Sequence, residues 1–132
     1  APNLEMDINW LKAKVDNGAE YIVTQMFFDN EKYYNFVERC QKEGINVPII
    51  PGIKPIINLN QLTVLPKVFK VDIPTDLAME LMKCKDDIMA KQVGVEWCIN
   101  QAKDLISHGV PSVHFYSHNA AQSVKSVVSQ VF

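Results

Sequence analysis

The chain has 132 residues, 48% of them apolar and 21% charged, and a formal net charge of −2. That is one ordinary domain by length, with enough apolar content to build a core. The near-neutral balance carries no basic run or aromatic-studded basic stripe, which excludes nucleic acid as an expected partner. Pro48, Pro51 and Pro55 interrupt the apolar stretches far short of the ~20 residues that span a bilayer, which likewise excludes a membrane.

Leu4, Ile8, Leu11 and Val15 recur at helical spacing, and Gly18 follows as a helix C-cap. Nothing at the start pairs a charged region with an apolar one, so no secretory signal is expected. Residues 20–25 form a β-branched run of strand length ending at Gln25. Asp29 and Asn30 then read as the N-cap and first turn of a helix whose stripe is Tyr33, Phe36, Val37 and Cys40, closed by Gly44. A second strand covers 47–51. A helix over 62–69, a weaker strand over 70–73 and a helix over 75–84 come next. Asp86 and Asp87 open a long helix over 88–107 with Cys98, Ala102, Leu105 and Ile106 on one face, and Gly109 caps it. The last strand covers 112–116, and an amphipathic helix over 119–132 carries Val124, Val127, Val128 and Val131.

Helix, glycine and strand thus recur as one phrase, which predicts parallel strands joined by right-handed crossovers. About four parallel strands with flanking helices are too few for a closed (β/α)8 barrel, which needs eight and typically ~250 residues. The chain also begins inside a helix with no strand to feed it. The expectation is α/β architecture, either a small open sheet or about half of a TIM barrel, and the abrupt start favours the half barrel, with residues 1–132 as a single fragment. A half barrel leaves strand edges and part of its apolar interior open, which predicts self-association into a homo-oligomer.

Chemistry in such folds gathers at the C-terminal ends of strands, here Gln25, Pro51-Gly52, Pro74-Thr75 and Tyr116-Ser117. No Ser-His-Asp set, zinc-protease helix or glycine-rich phosphate loop stands there. The "IPGIKPI" turn is rigid, and its Gly52 would let a ligand approach the backbone closely. His108, His114 and His118 lack metal-ligand spacing, and a structural role is the plainer reading for each; no metal is expected. Cys40, Cys84 and Cys98 are odd in number and widely spaced, reading as reduced thiols of a cytoplasmic protein. Gln25 differs from all of these. Its amide offers an acceptor and two donors, which suits the edge of a pterin or flavin, and it cannot act as a general base. Core packing is the plainer reading of Phe27 and Phe28, although they could also wall an apolar slot.

The segments "GAEYIVTQMFFD", "GINVPIIPGIKPI" and "GVPSVHFYS" resemble, in order and spacing, the C-terminal half of the methylenetetrahydrofolate reductase family, and the likeness covers essentially the whole chain. The resemblance implies a (β/α)8 flavoprotein that uses reduced nicotinamide and FAD to convert 5,10-methylenetetrahydrofolate to 5-methyltetrahydrofolate, a step of one-carbon metabolism that feeds methionine biosynthesis. It implies substrate-binding roles for Gln25 at the pterin, for Gln61, and for Leu65 where some members carry phenylalanine. It also implies that Asp7 and Lys14 touch the nucleotide portion of FAD. Trp10 and Ala13 stand where other members are polar or basic, and Ala120 replaces a family arginine. The family's general-acid glutamate and its flavin-side aspartate belong to the other half of the barrel. No catalytic residue is therefore expected in this chain, and the fragment alone should be inactive. The competing expectation is a non-enzymatic ligand-binding or structural α/β module that shares only barrel architecture.

Overall fold

Helix ends set the frame. The computed structural model describes residues 4–69, 71–110, 112–116 and 120–132, with side chains from Trp10 onward except that of Phe69. Its helices are α1 (Leu4–Asp16), α2 (Asn30–Lys42), α3 (Gln61–Phe69), α4 (Thr75–Met82), α5 (Asp87–Ser107) and α6 (Ala121–Val131). Its strands are β1 (Ile22–Val23), β2 (Ile49–Ile50), β3 (Gly52–Ile53) and β4 (His114–Phe115). Asp29 caps α2 by accepting from the Glu31 amide at 3.0 Å, and Asp86 caps α5 by accepting from the Met89 amide at 2.9 Å. Gly44 closes α2 at φ +84°, where the Ile45 amide turns back to the Cys40 carbonyl at 2.9 Å. Gly109 closes α5 in the same way at φ +79°.

The strands pair in parallel, as expected, although each is shorter than its apolar run. Ile22 and Val23 align with Ile49 and Ile50, while Gly52 and Ile53 align with His114 and Phe115. Pro51 is the pivot between the two ladders. The Ile50 carbonyl before it accepts from the Thr24 amide at 3.0 Å, and its own carbonyl accepts from the His114 amide at 2.9 Å. Residues 49–53 therefore act as one central strand with β1 on one side and β4 on the other.

The strand expected over 70–73 is not formed by its described residues. Lys70 lies outside the described set, and residues 71–74 belong to neither helix nor strand. Val71 turns its side chain into a core, Asp72 faces out to Lys32, and Pro74 brings no amide to a ladder. β4 pairs with β3 directly, so among the described residues three lines of strand stand where four were expected.

Two apolar cores flank this sheet. Ile22, Ile49 and Ile53 pack against Tyr33 and Cys40 of α2, Cys98, Ala102 and Leu105 of α5, and Val127 of α6. Beyond the C-terminal strand ends, Met26, Phe28, Ile56, Leu65, Val71, Leu77, Leu81 and Ala90 form the second core. α5 reaches both cores because Gly94 rides on the backbone after β3, where an added Cβ would lie 1.9 Å from the Ile56 carbonyl oxygen. One charge is enclosed here. Lys54 is 2% exposed and donates to the Pro55 carbonyl at 3.3 Å. Burial lowers its pKa, and the neighbouring Cys98 thiol is pushed up to about 12 by burial.

Candidate functional site

Gln25 extends from β1 and stands exposed at its C-terminal tip. The residues after it alternate sides. Met26 (4% exposed) and Phe28 (2%) enter the second core, and Phe27 turns the other way to stack on Tyr33, with ring centroids 5.6 Å apart and planes 3° from parallel. Tyr33 is fixed in turn by donating its hydroxyl to the Ile49 carbonyl at 2.6 Å.

The backbone of this turn is held from a distance. Trp97 donates its indole N–H to the Phe28 carbonyl at 2.8 Å, and Gln101, one helical turn further along α5, donates to the Phe27 carbonyl at 3.2 Å. Gln101 also donates to Asn30 Oδ1 at 3.1 Å, and Asn30 donates to Asp104 Oδ2 at 3.0 Å. Asp104 accepts from the Tyr34 hydroxyl at 2.6 Å, which together with the Asn30 bond holds its carboxyl below the ordinary range, while burial and, after it, the bond to Asp104 raise the Tyr34 pKa. Sequence reading missed Trp97 and Gln101. The available signal was a glutamine in line with the apolar stripe of α5.

Two cavities meet at Gln25. The larger, about 400 Å3, is walled by Trp10, Leu11, Phe27, Tyr33 and Phe36, with Thr24, Gln25 and Lys32 supplying polar groups. The smaller, about 180 Å3, is lined by Gln25, Met26, Phe27, Phe28 and Val71 together with Lys32 and Asp72, whose side chains are ion-paired. An amide edge with flat aromatic walls suits a planar heterocycle carrying an aryl substituent. A cavity of about 580 Å3 lies at the other end of the sheet, where Asn46 to Ile49 and Gly109-Val110 enter their strands. Strand C-termini, not cavity size, make the Gln25 end the candidate site.

The other expected residues are spread more widely. Lys14 holds its ammonium 5.3 Å from the Trp10 ring centroid, at the wall of the larger cavity. The Asp7 side chain and His118 lie outside the described residues. Gln61 accepts from the Ile57 amide at 2.8 Å and so pins the loop that opens α3. Leu65 is 3% exposed in the second core, and neither it nor Gln61 lines the two cavities at Gln25. The ligand approach expected at Gly52 is taken by the protein itself. A Cβ there would stand 2.6 Å from the Thr24 carbonyl oxygen and 2.6 Å from Tyr116 Cε2. His108 caps α5 beside Tyr34, and His114 packs edge-on against Tyr116 at 4.6 Å. Cys40, Cys84 and Cys98 are free thiols. Among the described residues, no helix is long and apolar enough to cross a membrane, and no group of three or more His, Cys, Asp or Glu is placed to hold a metal.

Comparison with known proteins bears on what this site serves. Residues 1–131 match the family described as methylenetetrahydrofolate reductase. The chain belongs to that family. It is 38% identical over 123 residues to the 5,10-methylenetetrahydrofolate reductase of Escherichia coli, covering 92% of this chain and 42% of that protein. It is 37% identical over 125 residues to methylenetetrahydrofolate reductase (NADH) 1 of Arabidopsis thaliana, covering 94% and 21%. With the probable methylenetetrahydrofolate reductase (NADPH) of Caenorhabditis elegans it shares 35% over 133 residues, covering 99% and 20%. The chain thus spans less than half the length of these reductases. A solved structure superposes with a TM-score of 0.61 at 16% identity, over 94% of this chain and 47% of the other. It is an uncharacterized protein from Clostridium thermocellum described as binding two copies of 5-methyl-5,6,7,8-tetrahydrofolic acid. That likeness concerns fold.

Proposed function

We propose that this chain is the folate-facing, C-terminal half of a (β/α)8 methylenetetrahydrofolate reductase, and that the whole enzyme reduces 5,10-methylenetetrahydrofolate with electrons from a reduced nicotinamide. The observation that carries the reading is Gln25, an amide at a strand tip where two cavities meet beside aromatic walls. Parallel strands, family membership and the folate-binding neighbour support it.

In this reading Gln25 hydrogen-bonds the pterin edge and orients it, without moving a proton itself. Phe27, Tyr33 and Phe36 wall the aryl portion and keep water from it. Gln61 and Leu65 serve the same substrate from α3, Gln61 by pinning residue 57 and Leu65 by backing Met26 and Phe28. FAD fits the nucleotide side, where the indole of Trp10 is 62% exposed beneath the Lys14 ammonium, a face and a charge suited to a base and a phosphate. Lys14, with Asp7, would hold that end, and the flavin supplies hydride transfer when bound. The proton donor comes from the other half of the barrel, so this piece by itself is inactive. For this half barrel by itself, exposed Tyr21 and Val23 along the β1 edge favour self-association into a homo-oligomer, and the free thiols favour a cytoplasmic setting.

The full-length protein tests this reading. It should purify yellow, and reduced nicotinamide should be oxidised with methylenetetrahydrofolate as acceptor. A colourless full-length protein that binds folate but oxidises no nicotinamide would instead identify a non-enzymatic binding module.

A further inference from the structure

The cavity of about 580 Å3 lies at the end of the sheet away from Gln25, where the chemistry of such folds does not gather. Its walls are α2, residues 45–49 and the end of α5. Its volume falls within the range of small-molecule sites, roughly 300–1,000 Å3. Tyr33, Tyr34 and His108 line it as a row of rings, with centroids 5.7 Å apart in the first pair and 4.3 Å in the second. Val37, Val47 and Val110 add apolar surface, while Glu38, Gln41 and Asn46 bring polar groups. The polar groups and helix ends favour one sign of charge. α2 and α5 both bring C-terminal ends to the cavity, through Gln41 in the last turn of α2 and His108 as the cap of α5, so two macrodipoles present their negative ends. Glu38 adds a carboxylate. His108 Nδ1 lies 2.8 Å from the Asp104 carbonyl, which only accepts, so Nδ1 carries the proton and Nε2 of the neutral ring is an acceptor. Among the described residues, no lysine or arginine lines the cavity. Lys42 reaches Glu38 from outside at 3.3 Å, but the two side chains are 71% and 65% exposed and water weakens the pair.

We propose that this cavity is a second ligand site, which takes a small organic ammonium ion with a flat apolar body. The ammonium donates to the Glu38 carboxylate, and the body lies along the Tyr34 and His108 rings, where the cation also meets aromatic faces. A carboxylate or phosphate ligand would instead face Glu38 and two negative helix ends, so the site rejects anions. The site stands apart from the folate reading, because Gln25 and the two cavities beside it are at the other end of the strands.

The test is calorimetric titration of the full-length protein with three probes of similar shape: phenethylamine as the cation, phenethyl alcohol as its neutral counterpart, and phenylacetate as the anion. Phenethylamine should bind with a Kd of about 0.1–1 mM, phenethyl alcohol at least about fivefold more weakly, and phenylacetate not at all. Glu38→Gln should weaken phenethylamine by about fivefold and leave phenethyl alcohol within about twofold. Glu38 is exposed, so this exchange leaves the fold intact. Glu80→Gln, an exchange of the same charge on α4, should change neither. Equal losses for the amine and the alcohol in Glu38→Gln overturn the proposal, as does a loss in Glu80→Gln as large as that in Glu38→Gln. Phenylacetate binding as tightly as phenethylamine, or no saturable binding of phenethylamine below about 10 mM, overturns it as well.

Discussion

The Tyr116 hydroxyl donates to the Thr24 carbonyl at 2.7 Å, tying β4 to β1 across the central strand that separates them. The bond passes directly over Gly52, whose own amide donates to Thr24 Oγ1 at 2.9 Å. Three parallel strands are locked at their C-terminal ends by one tyrosine, one threonine and a missing Cβ. Gln25, next in the chain after Thr24, takes its position from this lock.

Gly52→Ala should therefore destabilise the protein by about 1–3 kcal/mol in urea unfolding. Tyr116→Ala should not rescue it, because the Thr24 carbonyl oxygen is backbone and remains 2.6 Å from the new methyl. Full rescue would show that only the ring was in the way.

Gly94→Ala reverses an ordinary rule. In an exposed helix interior alanine is favoured over glycine by about 1 kcal/mol. Here the new Cβ would meet the Ile56 carbonyl oxygen at 1.9 Å, so α5 must lift off the backbone that follows β3. The expected result is a lower midpoint of unfolding, with loss of Trp97 burial visible in its fluorescence. A stabilised variant would contradict the close approach.

Lys54 gives a pH signature. Its folded pKa is lowered by burial, so the unfolded chain binds the proton more tightly. Its penalty is present in full below the folded value and fades as pH rises from there toward 10.5, the ordinary lysine value. Lys54→Met should raise stability by about 1–3 kcal/mol at neutral pH and flatten the alkaline rise. Unchanged stability at neutral pH would place the ammonium in water.

Asp104 has the opposite sign. The Tyr34 and Asn30 hydrogen bonds lower its pKa, so its contribution is present above the ordinary value of 3.8 and is lost as pH falls through the folded value. Tyr34→Phe should cost only about 0.5–1.5 kcal/mol at pH 7, because the partly exposed carboxylate is screened by solvent, and less at pH 2 as the carboxyl takes up its proton. An equal cost at both pH values would make the tyrosine a packing residue only.

How much of this was legible in the sequence follows from the reach of each interaction. Gly44, Gly109, Asp29 and Asp86 act within a turn of themselves, and the helix ends they set were readable from neighbours alone. Gln25 was readable as a strand tip for the same reason. The choice of strand partner was not. Whether residues 70–73 or β4 lies beside β3 depends on pairings across some 60 residues, and Pro51 gives no local sign that the strand changes neighbours there. Trp97 and Gln101 hold the turn after Gln25 from 69 and 74 positions away, and Lys32 meets Asp72 across 40. Nor did a lysine in "PGIKPI" announce its burial, which depends on α5 closing over it.

The central claim is that Gln25 recognises the pterin and does no chemistry of its own. Stopped-flow kinetics on the full-length reductase separates the two halves of the cycle. Gln25→Ala should slow reoxidation by methylenetetrahydrofolate by about tenfold, chiefly through weaker binding, while reduction by the nicotinamide stays within about twofold. Equal slowing of both halves would contradict the account.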